Sequence, residues 1–195
     1  DAPKQPDGPI LKNGKTYSEI AHLAEDIGPF VAVDQLLLMR GISAPRLYAA
    51  DFERGFLLLE DFGNRDFAGM LALGHDQRDM YRAATDVLVA LRRKPCPRDL
   101  PILRTGRSHH LPRFDRDALE IELSLILDWY WPQTKGAPVP DGVRDEYNKL
   151  WAPLLDRMLA EPEGLFLRDY HSPNLFWRPY ETGLARIGVI DFQDA

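Results

Sequence analysis

The stretch Leu165–Ala195 constrains this chain more than any other. Two short apolar runs, Leu175–Trp177 and Ile187–Ile190, flank a polar segment holding Pro179 and Gly183. Runs of that length separated by turn formers predict a β-hairpin with a long loop. In an antiparallel pair, the residue entering the first strand lies beside the residue leaving the second. Asn174 enters, Asp191 leaves, and their midpoint falls near Thr182-Gly183, where the chain has to turn. The pattern therefore brings Asn174 and Asp191 to one end of the hairpin. Asp169 lies just upstream, on a loop that Pro173 stiffens. Two carboxylates and an amide oxygen converge.

Hard oxygen donors of this kind suit Mg2+, which takes a few protein oxygens and shares its remaining positions with phosphates and water. The other carboxylate can accept a proton from a hydroxyl nucleophile. A base, an amide ligand and a metal-binding carboxylate are the parts that phosphoryl transfer requires.

Asp169 and Asn174, followed by a strand-end Asp191-Phe192, resemble the catalytic and metal loops of protein kinases. The closer resemblance is to the aminoglycoside phosphotransferase and choline kinase-like small-molecule kinases. Asp169-Tyr-His171-Ser-Pro-Asn174-Leu175 matches their Asp-x-His-x-x-Asn-Leu, and Ile190-Asp191-Phe192 matches their Ile-Asp-Phe/Trp. Arg168-Asp-Tyr-His with Ile-Asp-Phe-Gln-Asp-Ala is most similar to the branch that phosphorylates the cell-wall amino sugars N-acetylmuramate and N-acetylglucosamine at the anomeric hydroxyl.

The resemblance implies an α+β, protein-kinase-like bilobal fold. Residues 1–62 would form part of the nucleotide-binding lobe. Residues 63–195 would form the mainly helical lobe with the catalytic and metal loops, incomplete at its C-terminus. It implies ATP and Mg2+ as cofactors. Asp169 would orient and deprotonate the acceptor hydroxyl, while Asn174 and Asp191 would hold the metal. His171 would brace the loop or touch phosphates or substrate, and Asp194 would stand behind Asp191. Glu60-Asp61-Phe62 resembles the segment joining the two lobes, whose backbone reads adenine. Glu122, Asp128 and Trp129 resemble a signature of the amino-sugar branch, and carboxylates beside aromatic planes suit a hydroxylated, amino-bearing substrate.

Two features depart from the family pattern. The position two residues before the base, usually His, is Leu167, so packing would have to hold the loop. The Gly-rich hairpin and phosphate-contacting strand expected upstream do not occur in the sequence, so the chain reads as a fragment that would bind ATP weakly by itself. Besides an amino-sugar kinase, the motifs allow an aminoglycoside, choline or homoserine-type kinase, or a nucleotide-binding module with weakened catalysis. A metal-dependent hydrolase would need a second cluster of His or Asp ligands, and the sequence offers none at suitable spacing.

Composition narrows the class further. The net charge is −6, with both signs mixed along the chain, and a single cysteine, Cys96, rules out an internal disulfide. No basic patch points to nucleic acid and no long apolar run to a membrane. The expectation is a cytoplasmic protein, a monomer or weak dimer, acting on a small molecule.

Along the chain, residues 1–15 read as loop. Phe30–Arg40 reads as a helix stopped by Gly41; it carries no Glu, and Asp34, its one carboxylate, reads as facing solvent, the alternative being an active-site acid. Arg46–Asp51 and Gly55–Asp61 read as a hairpin, its Phe56-Leu-Leu-Leu run as a buried strand. Asp66–Leu73 and Asp76–Arg93 read as helices; in the second, Met80, Tyr81, Ala84, Val87, Leu88 and Leu91 make one stripe. Pro95–Pro112 reads as an irregular loop with His109 and His110 at its surface. Asp115 is expected to cap a helix over Arg116–Tyr130. Pro132–Asp141 reads as loop. Gly142–Glu161 reads as a helix whose Tyr147, Leu150, Trp151, Leu154, Leu155, Met158 and Leu159 face the core.

Overall fold

The computed structural model describes residues 8–195; the expectation of loop over residues 1–7 lies outside them. In chain order the elements are α1 (Tyr17–Ile20), α2 (Gly28–Met39), β1 (Leu47–Asp51), β2 (Phe56–Leu59), α3 (Phe67–Ala72), α4 (Gln77–Arg92), β3 (Asp99–Ile102) and β4 (Arg107–His110). Then follow α5 (Arg116–Leu125), a π-helical segment (Ile126–Tyr130), α6 (Trp131–Lys135), α7 (Asp141–Ala160), β5 (Leu175–Trp177) and β6 (Ile187–Val189). Short 3-10 turns cover Ser172–Asn174 and Gly183–Arg186. The mixture is α+β, and its strands pair as three antiparallel hairpins, β1–β2, β3–β4 and β5–β6.

The described residues fall into two compact units. The first holds Ala24–Pro112 and Gly164–Ala195. Its core draws Val31, Val33, Leu36 and Leu37 from α2, Met80, Ala84, Val87 and Leu91 from α4, and Leu175, Ile187 and Val189 from β5–β6. Asp66 caps α3 by accepting from Gly69 N (2.9 Å), and Asp76 caps α4 by accepting from Arg78 N (2.7 Å). The α4 stripe is buried at Met80, Ala84, Val87 and Leu91, whereas Tyr81 and Leu88 lie at its wet margin.

Three expectations for this unit need correction. Asp34 does not face solvent: it is fully buried, 0% exposed. The β2 run is not a buried strand; Phe56 and Leu58 are exposed and Leu57 and Leu59 half-buried, because a two-stranded ribbon covers one face only. The supposed loop Pro95–Pro112 contains the β3–β4 hairpin, in register from Asp99 opposite His110 to Ile102 opposite Arg107. Leu100 and Ile102 point inward from it, and Pro101 between them masks the strand pattern. His109 is half-buried there and His110 Nδ1 lies 2.8 Å from Asp99 Oδ1, so the two imidazoles point apart.

The second unit comprises residues 8–23 and Arg113–Glu163. Asp115 caps α5 as expected, accepting from Ala118 N (3.0 Å). The helix read as Arg116–Tyr130 leaves α-geometry at Ile126 and continues as α6 to Lys135. Pro132 explains the break: it has no N–H for the carbonyl four residues back, and Trp131 N bonds Ile126 O with π spacing instead. Gly136, at φ +70°, ends α6, so the segment read as loop from Pro132 begins as helix. On α7 only Leu155 is fully buried. Leu150, Leu154 and Met158, four residues apart, form an exposed ridge, so the stripe read as core is core on one flank only.

Candidate active site

The site is built on β5–β6. Leu175, Phe176 and Trp177 pair with Val189, Gly188 and Ile187. Neighbouring chain closes both edges: Val189 N donates to Ser43 O (2.8 Å), and Trp177 N donates to Arg65 O (2.8 Å). A ribbon of three residues per strand would not persist alone; these flanks and its fully buried Leu175, Ile187 and Val189 hold it.

At one end of the ribbon, Asn174 Nδ2 donates to Asp191 Oδ2 (3.2 Å) and to the backbone carbonyl of Asp169 (3.0 Å). The same nitrogen lies 3.4 Å from His171 Nε2. One amide therefore ties the metal-motif carboxylate, the loop that carries Asp169, and His171. The 3-10 turn Ser172–Asn174 closes this loop, with Asn174 N donating to His171 O (2.9 Å). Gln193 Nε2 donates to Asp191 Oδ1 (2.7 Å). Asp191 sits at φ +60°, a left-handed conformation that Asp tolerates better than most side chains and that turns the chain away from β6.

The surroundings anchor this loop on both sides. Leu167, at the position where the resemblance implied His, is buried in the core. Tyr170 Oη donates to Ala84 O on α4 (2.8 Å), and burial pushes its hydroxyl pKa up. Phe192 stacks on Phe30 of α2, with centroids 4.7 Å apart. Asp194 accepts from Ala24 N (2.7 Å) and lies 3.9 Å from Arg168. Its pKa is raised, first by burial; the Ala24 bond and Arg168 oppose this, and the like charges of Asp169 and Asp191 add to it. A cation beside Asp169 and Asp191 would relieve that repulsion. Asp191 is exposed and its two oxygens accept from Asn174 and Gln193; a carboxylate and an amide oxygen are hard donors, so the donor set fits Mg2+. Among the described residues no three His, Cys, Asp or Glu side chains form a self-contained metal cage. Mg2+ needs none when phosphates complete its shell.

Glu60, Asp61 and Phe62 lie in the same compact unit. Asp61 Oδ1 accepts from Gly63 N (2.7 Å), closing a turn, and Glu60 Oε1 accepts from Arg178 Nη2 (3.2 Å). Glu122, Asp128 and Trp129 belong to the other unit. There Glu122 accepts from Tyr17 Oη (2.9 Å), Asp128 accepts from Arg144 Nη2 (2.6 Å), and Trp129 is 74% exposed on the π-helical segment. Sequence reasoning missed Tyr170 and Arg178 as anchors. Their partners, Ala84 O and Glu60, are remote in the chain, so no local pattern announces them.

Comparison with known proteins adds an independent line. A family model described as phosphotransferase enzyme family matches residues 15–195. The chain belongs to this family. It is 34% identical over 197 residues to an N-acetylmuramate/N-acetylglucosamine kinase of Caulobacter vibrioides, covering 100% of this chain and 53% of that protein. A protein of the same name from Pseudomonas putida is 33% identical over 172 residues, covering 88% of this chain and 45% of its own. Another from Neisseria meningitidis is 27% identical over 169 residues, covering 87% and 46%. This phosphotransferase-family chain thus spans about half the length of the curated relatives it matches. Among its described residues, no helix is long and apolar enough to cross a membrane.

Proposed function

We propose that the protein transfers the γ-phosphoryl group of ATP, with Mg2+, to a hydroxyl of an amino sugar of the N-acetylmuramate or N-acetylglucosamine type. The observation that carries this reading is the convergence of Asp191, the Asp169 backbone and His171 on the Asn174 amide. The family match and the names of the relatives support the acceptor class.

In this mechanism Asp169 accepts the proton of the acceptor hydroxyl and aims its oxygen at the γ-phosphorus. Asn174 Oδ1 and an Asp191 carboxylate oxygen would hold Mg2+, which when bound neutralises charge on the phosphates. Gln193 steadies Asp191 through its second oxygen. The left-handed turn at Asp191 keeps that carboxylate at the ribbon's end. Positioning and electrostatics supply most of the acceleration in such transfers. The backbone of Glu60–Phe62 binds the adenine. Glu122, Asp128 and Trp129 contribute to acceptor recognition. The protein works in the cytoplasm, where ATP is abundant, as a monomer or weak dimer.

The test is ADP release by the full-length protein with N-acetylmuramate, N-acetylglucosamine, choline and an aminoglycoside as acceptors. The two amino sugars are expected to turn over fastest. ATP binding without turnover of any acceptor would instead identify a nucleotide-binding module without catalysis.

A further inference from the structure

Phe62 occupies a niche made by the β5–β6 ribbon. A Cβ on Gly188 would lie 2.7 Å from Phe62 Cε2, so the ring rests directly on the backbone of β6. The ring meets Phe176 edge-on, with centroids 5.7 Å apart, and the Arg178 guanidinium covers it at 4.6 Å. Arg178 also donates to Glu60 Oε1 (3.2 Å), while Glu60 Oε2 accepts from Arg46 N (3.2 Å). The Arg178 and Glu60 side chains are 23% and 20% exposed. A charge pair this shielded, shared with an aromatic face, holds its geometry better than a surface ion pair. Gly188, Phe176 and Arg178 stand on or next to the ribbon whose other end carries Asn174 and Asp191. From Asn174 to Arg178 is four extended steps, roughly 13 Å, comparable with the reach of a nucleotide from base to terminal phosphates.

We propose that Arg178 is a positioning residue for the nucleotide base: by clamping Glu60 and Phe62 onto β5–β6, it fixes the distance between the base-reading segment and the Asn174–Asp191 pair. The inference rests on the proposed function, in which both ends of that span bind ATP. Arg178 itself touches no reacting atom. Its loss leaves the Mg2+ end intact and frees the base end, so it should weaken binding of the base and not of the phosphates.

The test uses the full-length protein with Arg178→Met, Arg178→Lys and Glu60→Gln, each checked by thermal melting. Turnover gives KM and kcat for ATP; competition gives affinities for adenosine and for Mg2+-tripolyphosphate. Arg178→Met should raise the KM for ATP about tenfold and weaken adenosine to match, leaving kcat within about twofold. Tripolyphosphate affinity should not change. Glu60→Gln should act in the same direction, and Arg178→Lys, which keeps the charge and loses the planar stack, should fall between. A lowered melting temperature with unchanged KM, or equal weakening of adenosine and tripolyphosphate, would overturn the proposal. If the wild type turns over no acceptor, the proposed function has failed, and the adenosine competition alone decides the role of Arg178.

Discussion

Asn174 and Asp191 stand 17 residues apart in the chain and hydrogen-bond directly, Nδ2 to Oδ2, across 3.2 Å. Their backbones are bonded too: Ile190 N donates to Asn174 O at 3.1 Å. The pair is thus a continuation of the β5–β6 ladder in side chains.

Asp169→Asn removes the proposed proton acceptor and leaves the Asn174 contact, which uses the Asp169 backbone carbonyl, in place. Turnover should fall by about 10²–10⁴-fold with nucleotide affinity retained. Asp191→Asn should instead weaken Mg2+-ATP binding by more than about tenfold, because a direct ligand is worth at least as much as an outer partner. Asn tolerates the left-handed turn, so the fold should survive. Steady-state kinetics and nucleotide titration separate the two; turnover by Asp169→Asn within a few-fold of wild type would remove Asp169 as the base.

Asp34 is a buried carboxyl whose Oδ1 has no partner among the described residues; its Oδ2 accepts from Gln35 at 3.2 Å. Burial raises its pKa from 3.8 to about 7, against the Gln35 bond. Folding therefore favours the protonated form. Its contribution is fully present below pH 3.8 and is lost as pH rises to about 7. Each pH unit between those two values removes roughly 1.4 kcal/mol, a few kcal/mol in all. Asp34→Asn, which never ionises, should be more stable than wild type at pH 8, with the gap closing below pH 4. Urea unfolding of both proteins across that range checks it; parallel curves would contradict it.

Gly188→Ala would drive a methyl group into the rigid Phe62 ring, which stands 2.7 Å from the added Cβ. Overpacking of this sort costs about 1–3 kcal/mol. Adding Phe62→Leu should recover part of the loss. A double-mutant cycle by chemical denaturation reads the coupling, and strictly additive effects would show that the two residues do not touch.

Leu167 is 7% exposed in the core just before Asp169. Leu167→Ala should destabilise by about 2–5 kcal/mol. Leu167→His, although it introduces the residue type that the resemblance implied, should also destabilise, since an imidazole at this apolar site has to be desolvated. Thermal melts decide; a His variant as stable as wild type would mean that the site holds a polar partner for it.

Much of the site was legible because it is written in short range. The Asn174–Asp191 pairing follows from two apolar runs and a turn between them, and strand pairing converts sequence spacing into contact. The helix cap at Asp115 was equally readable, since a cap acts within three residues. The missed features depend on distant chain. Pro101 hid the β3–β4 hairpin, whose inward face is set by α2 and not by its own propensity. The apolar ridge of α7 matched a core stripe in period, but period cannot say which flank of a stripe meets a neighbour.

The sequence by itself determined that Asn174 and Asp191 meet and that the Asp169 loop is tied to them, because the spacing of these three residues is set by one hairpin and the loop before it. Only the tertiary structure decided that Asp34 is buried, that Tyr170 is anchored to Ala84, and that Arg178 covers the Phe62 ring beside Gly188. Those contacts join residues tens of positions or more from one another, or depend on what covers a helix face. Burial and packing are properties of the assembled core, and no single segment carries them.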